Sequence, residues 1–201
     1  MANINAPSGL APVRYLNGAP WSGQARLYCI LSGNGSAYAI GDPVVVGGSG
    51  DDNGVPDVVL ATAGTGNQVT GVIVSAGGIV NGGFMADPTN LNTTVIPATK
   101  TKNYYVMVVD DPNVVFEIQE GGAGAALAKT DISNNFNLKS GTNSGYLSGW
   151  VLDNASAATT ATLQLKLLGL AQRKDNTFGT YAKWLVKINN HTFGAGVAGT
   201  A

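Results

Sequence analysis

Leu163-Gln164-Leu165-Lys166-Leu167 and Lys183-Trp184-Leu185-Val186-Lys187-Ile188 decide how this chain is read. In the first run, leucine alternates with Gln164 and Lys166. In the second, Trp184, Val186 and Ile188 alternate with Lys183, Leu185 and Lys187. A period of two puts one set of side chains on a buried face and the other toward water, so each run is a half-buried strand. Between them lies Gln172-Arg173-Lys174-Asp175-Asn176-Thr177-Phe178-Gly179-Thr180, polar and closed by glycine. The segment therefore reads as a long antiparallel hairpin with an exposed basic tip, and Arg173, Lys174, Asp175 and Asn176 form a candidate contact loop.

Working upstream, the same grammar repeats. Residues 25–31 are β-rich and closed by the turn former Ser32-Gly33-Asn34-Gly35-Ser36. Further strands are expected at 37–40, 43–46, 58–62, 69–74, 94–96, 104–109 and 114–119. The separators, including Gly47-Gly48-Ser49-Gly50-Asp51-Asp52-Asn53-Gly54 and Gly77-Gly78, read as turns because Gly and Asn adopt positive φ cheaply. Only 123–129 and 154–158 have short helical character, and neither is long enough to organise a fold. The expected class is all-β, an antiparallel barrel or sandwich. Its expected parts are an extended N-terminal arm at 1–23, a first β lobe at 24–98, a second lobe with the long hairpin at 99–193, and a flexible tail at 194–201.

The first 23 residues contain Pro7, Pro12 and Pro20 but also Leu10, Val13, Tyr15, Leu16 and Trp21. Proline disfavours helix at itself and at the residue before it, so the segment should run extended. Two readings are open: a first strand packed on its own domain, or an arm laid on a neighbouring subunit or a host surface. In the second, Val13, Tyr15, Leu16, Pro20 and Trp21 are the anchors, and removing 1–23 should leave the β core folded.

Composition narrows the function. The 201 residues carry 11 Lys+Arg against 12 Asp+Glu, and only 11% are charged, where soluble domains average about 25%. Without a basic excess, neither nucleic acid nor an anionic membrane is an expected partner. A hydrophobic fraction of 44% is enough for a core. The single Cys29 excludes an internal disulfide, and the single His191 excludes any metal site needing two imidazoles; no metal and no cofactor is expected. The start lacks a basic and apolar leader, so synthesis in a cytoplasm is expected, and Asn-x-Ser/Thr triplets such as those at Asn92, Asn154 and Asn190 carry no glycosylation meaning. The longest apolar run, 104–109, is far too short for a spanning helix.

Catalytic chemistry finds little purchase. Cys29 sits in an apolar strand and His191 follows Asn189-Asn190 at a strand exit, so a thiol or serine dyad is not expected. Asp110, Asp111, Glu117 and Glu120 could supply paired carboxylates, but Asp110-Asp111-Pro112-Asn113 reads as a turn and Glu117 lies opposite Phe116 and Ile118, toward solvent. Asp51-Asp52-Asn53-Gly54 with Asp57 lacks the spacing of a calcium loop, and the glycine runs at Gly33 and Gly121 lack the context of a phosphate cradle. The chain is not expected to be an enzyme.

Several segments resemble a known family. Gly9-Leu10-Ala11-Pro12-Val13-Arg14, Asn17-Gly18-Ala19-Pro20-Trp21-Ser22-Gly23-Gln24, Ile40-Gly41-Asp42-Pro43-Val44, Phe116-Glu117-Ile118-Gln119-Glu120 and the closing Ala182-Lys183-Trp184 to His191-Thr192-Phe193 resemble capsid-associated structural proteins of tailed bacteriophages. The resemblance implies a decoration, or cement, protein on the capsid exterior of the virion, bound to the major capsid protein and to itself as a homotrimer, with no catalysis. A tail or fibre component is the nearest alternative. A carbohydrate-binding module stacking sugars on Trp21, Trp150 and Trp184 is the other, although Trp184 alternates with Val186 and Ile188 and is expected in the core.

Overall fold

The computed structural model describes residues 3–80, 83–85, 95–194, 196 and 199. Its strands are β1 (Ala11–Tyr15), β2 (Arg26–Ile30), β3 (Tyr38–Ala39), β4 (Pro43–Gly50), β5 (Pro56–Leu60), β6 (Gly71–Val80), β7 (Gly83–Met85), β8 (Val95–Ile96), β9 (Tyr104–Val109), β10 (Val114–Gly121), β11 (Asn135–Phe136), β12 (Leu138–Lys139), β13 (Val151–Asp153), β14 (Leu165–Leu170) and β15 (Lys183–Ile188). The fold is all-β, as the alternating runs require.

The first sheet runs β4-β5-β2-β9-β6-β7, and β6 pairs back onto β4, so five strands close into a barrel. Closure removes the unpaired edges that would invite aggregation. Tyr28, Ile30, Val44, Val58, Ile73, Val106 and Val108 fill the interior, and the β3–β8 ladder adds Tyr38 and Ile96 to the same cluster. Near Tyr38 sits Lys100, whose ammonium donates to the carbonyls of Asn34 (2.5 Å) and Ser36 (2.7 Å) and lies 5.4 Å from the Tyr38 ring centre. A buried cation is tolerable here because backbone oxygens replace its water.

The second sheet runs β11-β14-β15-β10-β13-β12, with β1 on the flank of β10. The expected hairpin is present: β14 and β15 pair antiparallel, with a bulge between Leu167 and Gly169. Leu165, Leu167, Trp184, Val186 and Ile188 are buried together, and Leu163 is buried as well, as period two demands. Ala61, Val69, Val72 and Val109 from the barrel join this cluster. Barrel and sheet therefore meet in this second cluster, while the barrel interior keeps a cluster of its own.

Four sequence expectations are corrected. The segments 123–129 and 154–158 form no α-helix; the only helical turn among the described residues is the 3-10 turn Lys129–Asp131. The amides of Gly124 and Leu127 instead bond to the side chains of Asn154 and Glu120. The glycines at 47–50 and 77–78 are not turns but the ends of long strands, β4 and β6, where Gly47 lets Asp57 approach and Gly48 takes φ 87°. The lobe division does not fall at residue 98, because β9 pairs with β2 and β6; the crossing to the second sheet is the 110–113 turn. The tail is not free throughout, since Gly199 donates to the Thr159 carbonyl (2.8 Å) and Gly196 lies against Ala161. Residues 195, 197, 198, 200 and 201 lie outside the described residues, as does Thr94 of the expected 94–96 strand.

Candidate interaction surface

The N-terminal segment sits on its own domain. β1 pairs antiparallel with β10 from Ala11 opposite Glu117 to Tyr15 opposite Val114. Leu10 is fully buried, and Gly9 (φ 66°) approaches Gly41 so closely that a side chain there would collide with the Gly41 carbonyl. After β1 the chain turns back on itself: Tyr15 N–H donates to Ala19 O (2.8 Å) and Trp21 N–H to Val13 O (3.2 Å). Of the two readings left open by the sequence, the strand packed at home is the one observed.

This divides the anchor residues. Tyr15 and Trp21 pack against the protein's own core, with the Tyr15 hydroxyl donating to Gln24 Oε1 and the Trp21 indole to Gln24 O. Val13, Leu16 and Pro20 remain exposed. Of the five expected anchors, these three are the ones left in water.

The hairpin tip is also rearranged relative to the expected basic loop. Arg173 is held by Glu117 (2.8 Å) and Asp175 (3.2 Å), so its charge is compensated. Asn176 is buried. Its Nδ2 donates to Ala171 O and Lys183 O, and its Oδ1 accepts from Lys183 N–H, all at 2.8 Å. These three bonds make Asn176 the residue that closes the loop, while Lys174 is exposed.

Sequence reasoning missed the apolar side chains that this loop presents. Phe178 is 52% exposed, its ring edge-on to buried Trp184 at 5.7 Å. Trp184 is in turn fixed by its indole N–H to Glu120 Oε2 (2.9 Å). Tyr181 is more than a third exposed in the left-handed region, φ 65°, a conformation costly for a tyrosine. Asn3 ties the N-terminus to this tip: its Oδ1 accepts from Thr177 N–H (3.0 Å) and its Nδ2 donates to Thr177 O (2.8 Å). Ile4, 76% exposed, follows directly. Ile4, Asn176 and Tyr181 line one small hollow. The available signal was Phe178 itself, an aromatic inside an otherwise polar loop.

The chemical candidates are accounted for by local structure. Cys29 is fully buried, and burial pushes its thiol up to about 11. Buried His191 is held below the ordinary imidazole range by desolvation, its Nδ1 accepting from Phe193 N–H (3.0 Å). Burial raises Glu120 above the usual carboxylate range. Asp51 accepts from Asn53 N–H, Val55 N–H and the Tyr105 hydroxyl, closing its own loop. Among the described residues, no group of three or more His, Cys, Asp or Glu is placed to hold a metal ion. No helix among them is long and apolar enough to cross a membrane. Trp150 and Trp184 are buried, so the proposed three-tryptophan sugar platform does not exist.

No protein-family model matches this chain, and neither a curated protein nor a solved structure matches it.

Proposed function

We propose that this protein is a structural component of a tailed-phage virion that seats on the outside of the assembled capsid, against the major capsid protein and as a homotrimer with itself, and stiffens the shell. The observation that carries the reading is the set of apolar side chains left in water on a rigid β frame: Ile4, Phe178 and Tyr181 around the hairpin tip, Val13 and Leu16 on the folded-back arm. Rigid aromatic and aliphatic side chains are what an interface uses, because they bury area at about 25 cal/mol per Å² with little ordering cost. The segment resemblance to capsid-associated proteins supplies the partner. A chain with few charges suits persistent contact better than electrostatic capture.

The test is reconstitution. Phage particles assembled without this protein, mixed with purified protein and sedimented, should take it up saturably at a fixed ratio to capsid subunits, and the loaded heads should resist heat better than bare ones. Binding to tails in place of heads, or no uptake, contradicts the proposal. Replacing both Phe178 and Ile4 with serine should reduce uptake by about tenfold or more.

A further inference from the structure

We infer that the groove between the start of β2 and the 110–113 turn is a binding site for a neutral saccharide. The groove is open to solvent along one side and offers about 610 Å³, room for a single sugar ring. Its polar floor is Asp110, and its walls include Tyr15, Arg26 and Phe193.

The hydrogen-bonding capacity left over in the groove defines the ligand. Asp110 is almost entirely buried, and its Oδ2 accepts from Arg26 Nε, Arg26 Nη2 and the Tyr28 hydroxyl, each at 2.6 Å. Among the described residues, its Oδ1 accepts no hydrogen bond and Arg26 Nη1 donates none. An acceptor on the floor and a donor at the rim, fixed relative to each other by one ion pair, match two neighbouring hydroxyls: one donates to Oδ1, the other accepts from Nη1. Half-exposed Phe193 gives an apolar shelf for the C–H face of a pyranose ring. The ring is held in place by the Phe193 N–H bond to His191 Nδ1 and by the imidazole 5.8 Å away, and the Arg26 guanidinium lies over part of it, 5.2 Å from its centre, so the sugar stacks on the exposed half that Arg26 leaves open. With Asp110 and Asp111 against the single Arg26, the groove repels phosphate and carboxylate ligands. This site stands whether or not the chain seats on a capsid, and it uses none of the tryptophans.

The test is a titration of the ¹⁵N-labelled protein, followed by amide shifts, with methyl α-glucoside, methyl α-mannoside, methyl β-galactoside and N-acetylglucosamine, and separately with inorganic phosphate. At least one sugar should shift the amides of Ala25, Asp111 and Phe193 saturably, with a dissociation constant on the order of 1 mM. Phe193→Ala and Arg26→Gln should each weaken that binding at least about fivefold, while their spectra away from the groove stay unchanged and so report an intact fold. No saturable shift with any of the four sugars, tighter binding of phosphate than of every sugar, or full affinity in both variants would overturn the inference.

Discussion

Tyr181 combines a left-handed backbone with a partly exposed ring. At φ 65° an L residue carries about 1–2 kcal/mol of strain that glycine would not, and such strain is kept where the side chain has work to do. Tyr181→Gly should therefore leave thermal stability unchanged or raise it by about 1 kcal/mol, while weakening particle uptake. A clear loss of stability with uptake intact would mean the ring serves only its own fold. His191 makes a second residue-scale prediction. Its proton affinity is lowered chiefly by burial, with Lys187 and Arg26 in the same direction and Asp110 and Asp111 opposed. A group depressed in this way contributes stability that is complete above its unfolded value, about 6.5, and is lost as pH falls toward the folded value. Glu120 and Asp42 are raised by burial, so their contribution runs the other way, present at low pH and lost as pH rises. The difference between wild type and His191→Gln isolates the histidine: wild type should lose stability relative to the variant as pH drops below about 6.5. The sole imidazole signal should titrate below that value, and titration at or above it would contradict the burial argument. At this scale the sequence was readable wherever a residue acts locally. Asn176 is the exception: its three backbone bonds depend on β14 and β15 already being paired.

Among the elements, β14 and β15 were legible because their alternation is a local consequence of lying between core and water. The 110–113 turn was legible for the same reason, through the Asp111 side chain accepting Asn113 N–H. The parallel pairings β2–β5 and β10–β13, and the closure of β6 onto β4, leave no local mark, since pairing partners far apart in sequence do not alter either strand's own pattern. The glycines in β4 and β6 misled for a related reason: turn chemistry and close backbone approach both call for glycine. β1 carries the strongest element-scale prediction. With Leu10 in the core and β1 laddered to β10, the 1–23 segment is part of the folded domain. Leu10→Ala should cost about 2–5 kcal/mol in chemical denaturation, and a chain lacking residues 1–23 should be less stable still or fail to fold. A truncated chain as stable as the full one would restore the detachable arm.

The whole molecule is one body because the barrel and the second sheet share their apolar contacts and are stitched at the exit of β15. There Val69 pairs with His191, and the Thr70 and Thr192 hydroxyls meet at 2.8 Å. Such a frame holds its outer residues in fixed relation, which a protein that acts through its surface requires. The division between exposed surface and core was only partly legible. The sequence marks Tyr15 and Trp21 as sticky, but their burial against the parent core depends on the turn at 15–19 folding back, a tertiary outcome. The most direct measurement of the seating claim is an electron cryomicroscopy map of purified virions. The account predicts this barrel-and-sheet density on the capsid exterior at three-fold clusters, with the Phe178–Tyr181 tip or the Val13–Leu16 edge against the shell. The same density found in the tail, or a fully loaded particle with none of it on the capsid, would contradict the account.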